Sequence, residues 1–539
     1  RKSPALAFTA IAVLALGIGV NVAAFNIVDV MSFKPLHVRD PQSLVRFTTQ
    51  SPTLSYHAVS YPALMFYRES GTTFSAMLAQ TKTQMTLGDN PGEGVETGLV
   101  TANYFSELGA SPAYGRLFDP ASDALPAAPA VAVLGYGFWQ SRFGADPSVV
   151  GRTIRLNQRP VTVIGVTAFN FTGLDPEAGE KNGVWLLLDK QTYFVPDTKL
   201  LTSFDVSESG VQAFGRLKPG ITRRAAQEAL LPLAQELERQ HPGVLSKGEH
   251  LVVHPGGISE EINGNDLPEY GFLAALVLLV LAAACGNLGN LLLGRAVARE
   301  REISIRMAVG AGRGRIIRQL MTENILLALL GSGAGLLLGW FMSRAVAVAL
   351  GGPRNMDFSP DWRTVLFALG IGMLACVLFG LPAARQASNT TRRPGRTRTI
   401  FMAAQVAASC VLIVVSALLV RSLYHAYNTD PGFDYVHVIT IDPQLYAHGY
   451  SPEKAAQYTR DLSSRLEQLP GVQSVAAVWV VPLGNHVSMR PAGGDIKVNI
   501  HHNNISPRLF ETLAIPLLRG RDFTRNDKDV AIVTDSCAR

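Results

Sequence analysis

Five stretches of the chain, 3–28, 271–294, 324–343, 364–384 and 399–420, contain no charged side chain. Each approaches or exceeds the ~20 residues a helix needs to cross a hydrocarbon core, and all five are read as transmembrane helices. A cleaved signal peptide is the competing reading for the first. It is set aside because the apolar run is long and no small-residue cleavage site follows it. Small residues repeat inside two of the stretches: Gly331, Gly335 and Gly339 in the third, and Ala368, Gly372, Cys376 and Gly380 in the fourth, each row with a spacing of four. Such rows let helix backbones approach closely. Ionisable residues, which mark ion and proton paths, are missing from the five stretches, so an ion-coupled secondary transporter is disfavoured. Asn287 and Asn290 are the main polar candidates in the second stretch and read as interhelical hydrogen-bonders rather than substrate ligands.

The long segment between the first two stretches changes period. Alternating or β-rich runs at Val131–Leu134, Thr153–Leu156, 161–166 and 184–188 predict strands, with a turn at Leu156-Asn157-Gln158-Arg159-Pro160. A further strand, 211–217, ends at Lys218-Pro219-Gly220. Thr222 then caps a helix over Arg223–Gln240 whose Ala226, Leu230, Leu233 and Leu237 share one face. This pattern predicts a small α/β layer beside a more β-rich lobe.

Charge fixes the orientation. Seven arginines (Arg295, Arg299, Arg301, Arg306, Arg313, Arg315, Arg318) face Glu300, Glu302 and Glu323 between the second and third stretches, a net of +4. Arg385, Arg392, Arg393, Arg396 and Arg398 give a further +5 between the fourth and fifth. Positive loops stay cytoplasmic, so the chain starts inside, exports a large domain, makes three more crossings and exports again after the fifth. With Arg1 and Lys2 these regions hold +11 of a chain whose net is +6, leaving −5 elsewhere. The basic balance therefore belongs to the inner membrane face, and a nucleic-acid footprint is excluded. Across 539 residues, 47% hydrophobic and 17% charged side chains with a mean hydropathy of +0.18 fit alternating membrane and soluble parts. Four cysteines exclude a disulfide scaffold: Cys285, Cys376 and Cys410 fall in apolar stretches, and Cys537 stands apart.

An internal repeat links the two exported parts. VTANYFSELGASPAYGRLF at 100–118 matches ISPRLFETLAIPLLRGRDF at 505–523 with a constant offset of 405, pairing Phe105 with Phe510, Leu108 with Leu513, Gly115 with Gly520, Arg116 with Arg521 and Phe118 with Phe523. Downstream, Val131-Ala132-Val133-Leu134 resembles Val530-Ala531-Ile532-Val533. Both copies follow a single crossing helix. The expectation is a piece of a longer protein with two such units and eight crossings.

Little else carries chemistry. Gly310-Ala311-Gly312-Arg313-Gly314 lacks the lysine and hydroxyl of a phosphate loop and reads as a turn. His501-His502 has no third ligand at useful spacing, and neither H-E-x-x-H nor G-x-S-x-G occurs. No catalytic, cofactor or metal residue is assigned. The loop RAVAREREISIRMAVGAGRGRIIRQLMTEN at 295–324 reads as a short amphipathic helix, a glycine turn and a basic lead-in to the next crossing. Ile303 and Met307 stack at i,i+4 beside the Glu302–Arg306 pair. That ridge fits either a helix lying in anionic headgroups or a helix docked in a partner's groove.

REREISIRMAVGA at 299–311, with Arg318-Gln319-Leu320 and Glu323, resembles the signature segment of FtsX/MacB-type ABC permeases. RKSPALAFTAIAVLALGIGVNVAAFNIVD at the start, WQSRFGADPSVVGRTIRLNQRPVTVIGV at 139–166 and RSLYHAYNTDPGF at 421–433 resemble the duplicated permeases of acidobacteria. The resemblance implies an α-helical polytopic membrane protein with mixed α+β extracytoplasmic domains: FtsX-like transmembrane helices and a MacB-like periplasmic core, internally duplicated. The implied order is crossings at 1–30, 270–294, 323–350, 363–384 and 399–422, with a first core domain at 31–269 and a second at 423–539. Between them come a coupling loop at 295–322, a short outer loop at 351–362 and a basic linker at 385–398. It further implies an inner-membrane permease whose cytoplasmic ABC ATPase is a separate subunit or domain carrying ATP and magnesium, and whose Arg299, Glu302, Ile303, Arg306, Met307 and Gly310 meet that ATPase. Membrane lipid is a second partner, and a periplasmic adaptor or outer-membrane channel is an open third. Export of a small molecule, peptide or lipid-linked cargo, regulation of an envelope enzyme or signalling partner, and passive reception are the three functional readings.

Overall fold

Charged residues do not stop a helix whose backbone hydrogen bonds are already running, and the apolar helices of this chain outrun most of their uncharged stretches. The computed structural model describes residues 4–50, 55–56, 58–88, 94–169, 171–174, 183–196, 198–245, 249–258, 266–298, 305, 309, 312–349, 357–377, 395–443, 445, 450–482, 489–491, 499–524, 526–527 and 530–535. In chain order its main elements are α1 (Pro4–Ser32), β1 (Leu44–Gln50), β2 (Ser55–Tyr56), β3 (Val59–Ser60), α2 (Tyr61–Ser70), β4 (Phe74–Thr86), β5 (Gly94–Val100), β6 (Pro112–Gly115), β7 (Val131–Leu134), β8 (Thr153–Leu156), β9 (Arg159–Thr167), β10 (Val184–Leu187), β11 (Gly210–Leu217), α3 (Arg223–Gln240), β12 (His250–Pro255), α4 (Leu267–Ala298), α5 (Arg313–Ala349), α6 (Trp362–Ala375), α7 (Gly395–Asn428) and α8 (Pro452–Leu466). Two units form: Arg1–Leu36, Leu174–Glu177 and Ile258–Asn428 make one, and His37–Gly173, Ala178–Gly257 and Thr429–Arg539 the other.

The first unit is helical. Four of its described helices, α1, α4, α5 and α7, are long and apolar enough to cross a membrane, while α6 is a shorter apolar helix of 14 residues. Several boundaries differ from the sequence expectation. Helix α1 continues through Asp29 to Ser32 rather than ending at 30, α5 begins at Arg313 rather than 323, and α7 spans Gly395–Asn428 rather than 399–422. In each case basic or polar residues extend the helix, as arginine stems can follow the helix surface while their heads stay in water. Helix α1 is the hub, in contact with α4, α5 and α6. Half of its apolar window is buried, against none of that of α7.

The second unit is built on one sheet in the order β12-β1-β11-β4-β5-β10-β7-β9-β6, with β2 beside β1, β3 beside β11 and β8 beside β9. The expected division into an α/β layer and a separate β lobe is corrected here. Parallel pairing of Val184–Leu187 with residues 97–100 carries the hydrogen-bonded ladder straight across. Sequence-predicted strands appear at β7, β8, β9, β10 and β11. The 156–160 turn is a two-residue hairpin with positive φ at Asn157 (47°) and Gln158 (62°), the conformation that matches strand twist. Asn157 also accepts from the Thr86 N–H at 2.9 Å, tying the hairpin to β4. Thr222 Oγ1 accepts from Ala225 N–H and starts α3, which buries Ala226, Leu230 and Leu237 and leaves Leu233 half-buried. Gln227 then binds β12 through the Leu251 carbonyl and the Val253 N–H. Residues 530–533 form no strand, unlike their sequence counterpart β7.

Candidate functional site

Small residues line two helix contacts in the first unit, α1 with α5 and α5 with α6. Leu14, Ile18 and Val22 recur every four residues on α1 and are fully buried. Opposite them on α5 stand Gly331, Gly335 and Gly339. A Cβ added to these glycines would lie 2.8 Å from Leu14, 2.9 Å from Ile18 and 2.6 Å from Val22, distances at which one side must move. The helices thus touch backbone to side chain over three turns. Gly372 of α6 is placed by the same logic against Ser332 of α5, whose hydroxyl donates to the Ala368 carbonyl at 3.1 Å. Gly380 lies outside the described residues.

Polar ties sit at intervals along this seam. Asn21 Nδ2 donates to the Val277 carbonyl of α4 at 3.1 Å, and Asn26 Nδ2 donates to Ser343 Oγ at 3.1 Å and to the Phe358 carbonyl at 2.9 Å. Buried amides without partners are costly; here they join α1 to α4, to α5 and to the segment before α6. Neither asparagine was singled out from the sequence, where Asn287 and Asn290 drew attention; the side chains of those two lie outside the described residues.

The end of α1 carries the unit's buried carboxylate. Asp29 is 1% exposed and neither oxygen has a hydrogen bond, but Arg363 Nη1 lies 3.5 Å from Oδ1. The same nitrogen donates to the Phe33 carbonyl at 2.7 Å. Arg363→Met strands a buried charge and is expected to destabilise the chain by about 3 kcal/mol, with Asp29→Asn in the same chain restoring most of it. Melting of the detergent-purified proteins measures both, and an R363M curve that overlays the parent's removes the pair from the account.

Beside it, Lys34 Nζ donates to Asp357 Oδ2 at 2.9 Å and to the Asp357 carbonyl at 2.7 Å. Burial pushes the Asp357 carboxyl up, but the Ser359 hydroxyl and N–H and the Lys34 ammonium outweigh it and hold the carboxyl down to about 2. A carboxylate held below its unfolded value of ~3.9 stabilises the fold above that value and loses the contribution as pH falls through the folded one. The melting difference between parent and Asp357→Asn is therefore expected to stay flat above pH ~4 and to vanish by pH ~2.

The residues expected to meet an ATPase, Arg299, Glu302, Ile303, Arg306, Met307 and Gly310, lie outside the described residues. Of the same loop, Ile305 and Val309 are described, and both are exposed.

Comparison with known proteins places these helices and this sheet. Residues 7–233 match the model of the MacB-like periplasmic core domain, and residues 274–392 that of the FtsX-like permease C-terminal segment. The chain belongs to the MacB/FtsX-type ABC permease family. Among curated relatives of this MacB/FtsX-type chain, the macrolide export ATP-binding/permease protein MacB 1 of Aeromonas hydrophila is 28% identical over 297 residues, 54% of this chain and 41% of that protein. The MacB of Chromobacterium violaceum is 29% identical over 264 residues, 48% of this chain and 36% of that one. The chain thus spans about two fifths of the length of the relatives it matches. Among solved structures, the periplasmic region of MacB from Actinobacillus actinomycetemcomitans aligns with a TM-score of 0.28 and 14% identity over 43% of this chain and 94% of that one. The extracellular domain of the ABC-type transporter YknZ aligns at 0.28 and 11% over 39% and 99%. The seam of this MacB/FtsX-type permease falls across both family segments, since α1 opens the first and α5 lies within the second.

Proposed function

We propose that this chain is a multi-pass inner-membrane permease that couples ATP hydrolysis by a separate cytoplasmic ABC ATPase to movement of its extracytoplasmic domain, for export of a small molecule, peptide or lipid-linked cargo. One observation carries the reading. Helix α5 starts within the basic loop, at Arg313, and runs unbroken for 37 residues, and its glycines seat Leu14, Ile18 and Val22 of α1. A displacement imposed on the loop meets no helix break in α5 or α1 to absorb it.

Hydrogen bonds of the sheet unit support duplication, because the repeat recurs in them as well as in sequence. Arg39 N–H donates to the Leu108 carbonyl at 2.8 Å, and Asp434 N–H to the Leu513 carbonyl, 405 positions on, at 2.8 Å. Arg116 grips Asp123 with both Nη atoms, at 2.6 and 2.8 Å, while Asp123 also accepts from the Asp119 N–H. Arg521 grips Asp527 at the same two distances, and Asp527 accepts from the Thr524 N–H. On this reading α7 stands where α1 stands and opens a second unit.

The test is to solubilise the full-length protein gently from its native membranes and identify what co-purifies. An ABC ATPase in the preparation, with ATP hydrolysis, is the expected result. A preparation without either moves a passive receptor ahead. A coupled complex that moves no cargo is instead a regulator of an envelope partner.

A further inference from the structure

Two helices of the first unit are alike in composition but not in placement. Both α1 and α7 are long and apolar enough to cross a membrane, yet half of the apolar window of α1 is buried and none of that of α7. The glycines of α5 receive aliphatic side chains spaced four apart, and α1 presents Leu14, Ile18 and Val22 to them. Helix α7 has rows of the same spacing, Val411, Val415 and Leu419 among them. Lipid tails are as apolar as either row, so hydrophobicity does not choose between the two helices. The difference lies in polar side chains. Asn21 of α1 donates to the Val277 carbonyl of α4, Asn26 donates to Ser343 of α5 and to the Phe358 carbonyl, and Asp29 faces Arg363 of α6.

On the duplication reading, α7 carries other residues at these places. The hydrogen bonds from Arg39 N–H to Leu108 and from Asp434 N–H to Leu513 align Asp434 with Arg39, an offset of 395. Ser416, Arg421 and Tyr424 then fall at the places of Asn21, Asn26 and Asp29. With α7 in the place of α1, the Phe358 carbonyl would lose its donor. Arg421 would stand one turn from the place of the Asp29 carboxylate, so that Arg363 would meet a like charge. Both are costly away from water. An ion pair replaced whole by well-packed apolar side chains often costs no stability, so what these residues add over an apolar row is choice of partner. We propose that Asn21, Asn26 and Asp29 admit α1 to its place among α4, α5 and α6 and exclude α7. Only the alignment of α7 with α1 rests on the duplication reading above.

The experiment is disulfide trapping in the full-length protein in its native membranes, with the four cysteines replaced. A Cβ on Gly19 would lie 3.2 Å from that of Leu338 on α5, close to the spacing of a disulfide, so Gly19→Cys with Leu338→Cys reports α1 on α5. Leu338→Cys with a single cysteine placed in turn at 411–418 reports α7 on α5. In the parent the first pair is expected to cross-link on oxidation and none of the second set. The exchanged chain carries Asn21→Ser, Asn26→Arg and Asp29→Tyr on α1 with Ser416→Asn, Arg421→Asn and Tyr424→Asp on α7. There the first cross-link is expected to be lost and one at 413–415 to form, since Val414 aligns with Gly19. A parent that links α7 to α5 as readily as α1 overturns the exclusion at once. So does an exchanged chain that keeps only the α1 link, or loses it without gaining one from α7. New links confined to 411, 412 or 416–418 keep the exclusion and remove the alignment, and the duplication reading with it. Should the exchanged chain not reach the membrane, the three α7 substitutions alone leave α1 intact and are expected to give both cross-links. An α1 link at the parent's yield with none from α7 then overturns the proposal.

Discussion

Replacing Ile303 and Met307 together by aspartate is expected to abolish co-purification of the ATPase while leaving the chain in the membrane fraction. In sequence the two side chains fall at i,i+4 beside the Glu302–Arg306 pair, in a loop rich in arginine. A helix that lays such a ridge in a groove draws most of its affinity from two or three buried anchors of about 2 kcal/mol each. Losing two, and asking the groove to bury carboxylates, corresponds to about a thousandfold weaker binding or more. Anionic headgroups would also repel the new charges, so association with ATPase has to be read separately from membrane retention. An ATPase yield equal to the parent's would sink the coupling assignment for this loop.

Gly335→Leu should lower the melting temperature of the detergent-purified chain by about 6–12 °C. The estimate takes about 3 kcal/mol for forcing a side chain into a filled space and about 2–4 °C per kcal/mol for a helical unit of roughly 200 residues melting by itself. The reason is local: a Cβ there already meets Ile18 at 2.9 Å and lies 3.2 Å from the Ala15 carbonyl, so α1 and α5 must separate. Gly333→Leu is the control, since a Cβ at Gly333 on the same helix meets nothing within 4 Å. Equal melting of the two variants would mean that the seam does not hold the unit together. Helix propensity cannot explain a difference between them, because both replace glycine by leucine in one helix.

Much of this arrangement was legible in the order of residues. The glycine row of α5 announced a close helix contact because only small residues repeat there at the spacing of a helix face. The Thr222 cap and the Lys218-Pro219-Gly220 turn fixed the start of α3 because their chemistry is local. What could not be read was anything requiring a distant partner. The apolar window predicts a first crossing that ends at 30; the structure carries α1 on to Ser32 and answers the charge of Asp29 with Arg363, more than three hundred positions away. The long strand β4 mixes Gln80, Thr81, Lys82 and Thr83 with apolar residues, and its strand character comes from β5 and β11 on either side. Arg216 sits near the end of β11, and the residues to which its guanidinium donates, Arg39, Asp40, Ser43 and Glu107, all lie far back in the chain.

The contact between α1 and α5 has a symmetry of its own. Leu14, Ile18 and Val22 are four apart, the glycines that receive them are four apart, and the two helices run in the same direction. Advancing α1 by four residues, about 6 Å at 1.5 Å per residue, sets Leu14 in the socket of Gly335 and Ile18 in that of Gly339. The seam is a rack whose teeth fit at two positions. Axial travel of one pitch forfeits a single tooth, while rotation of α1 about its own axis disengages all three at once.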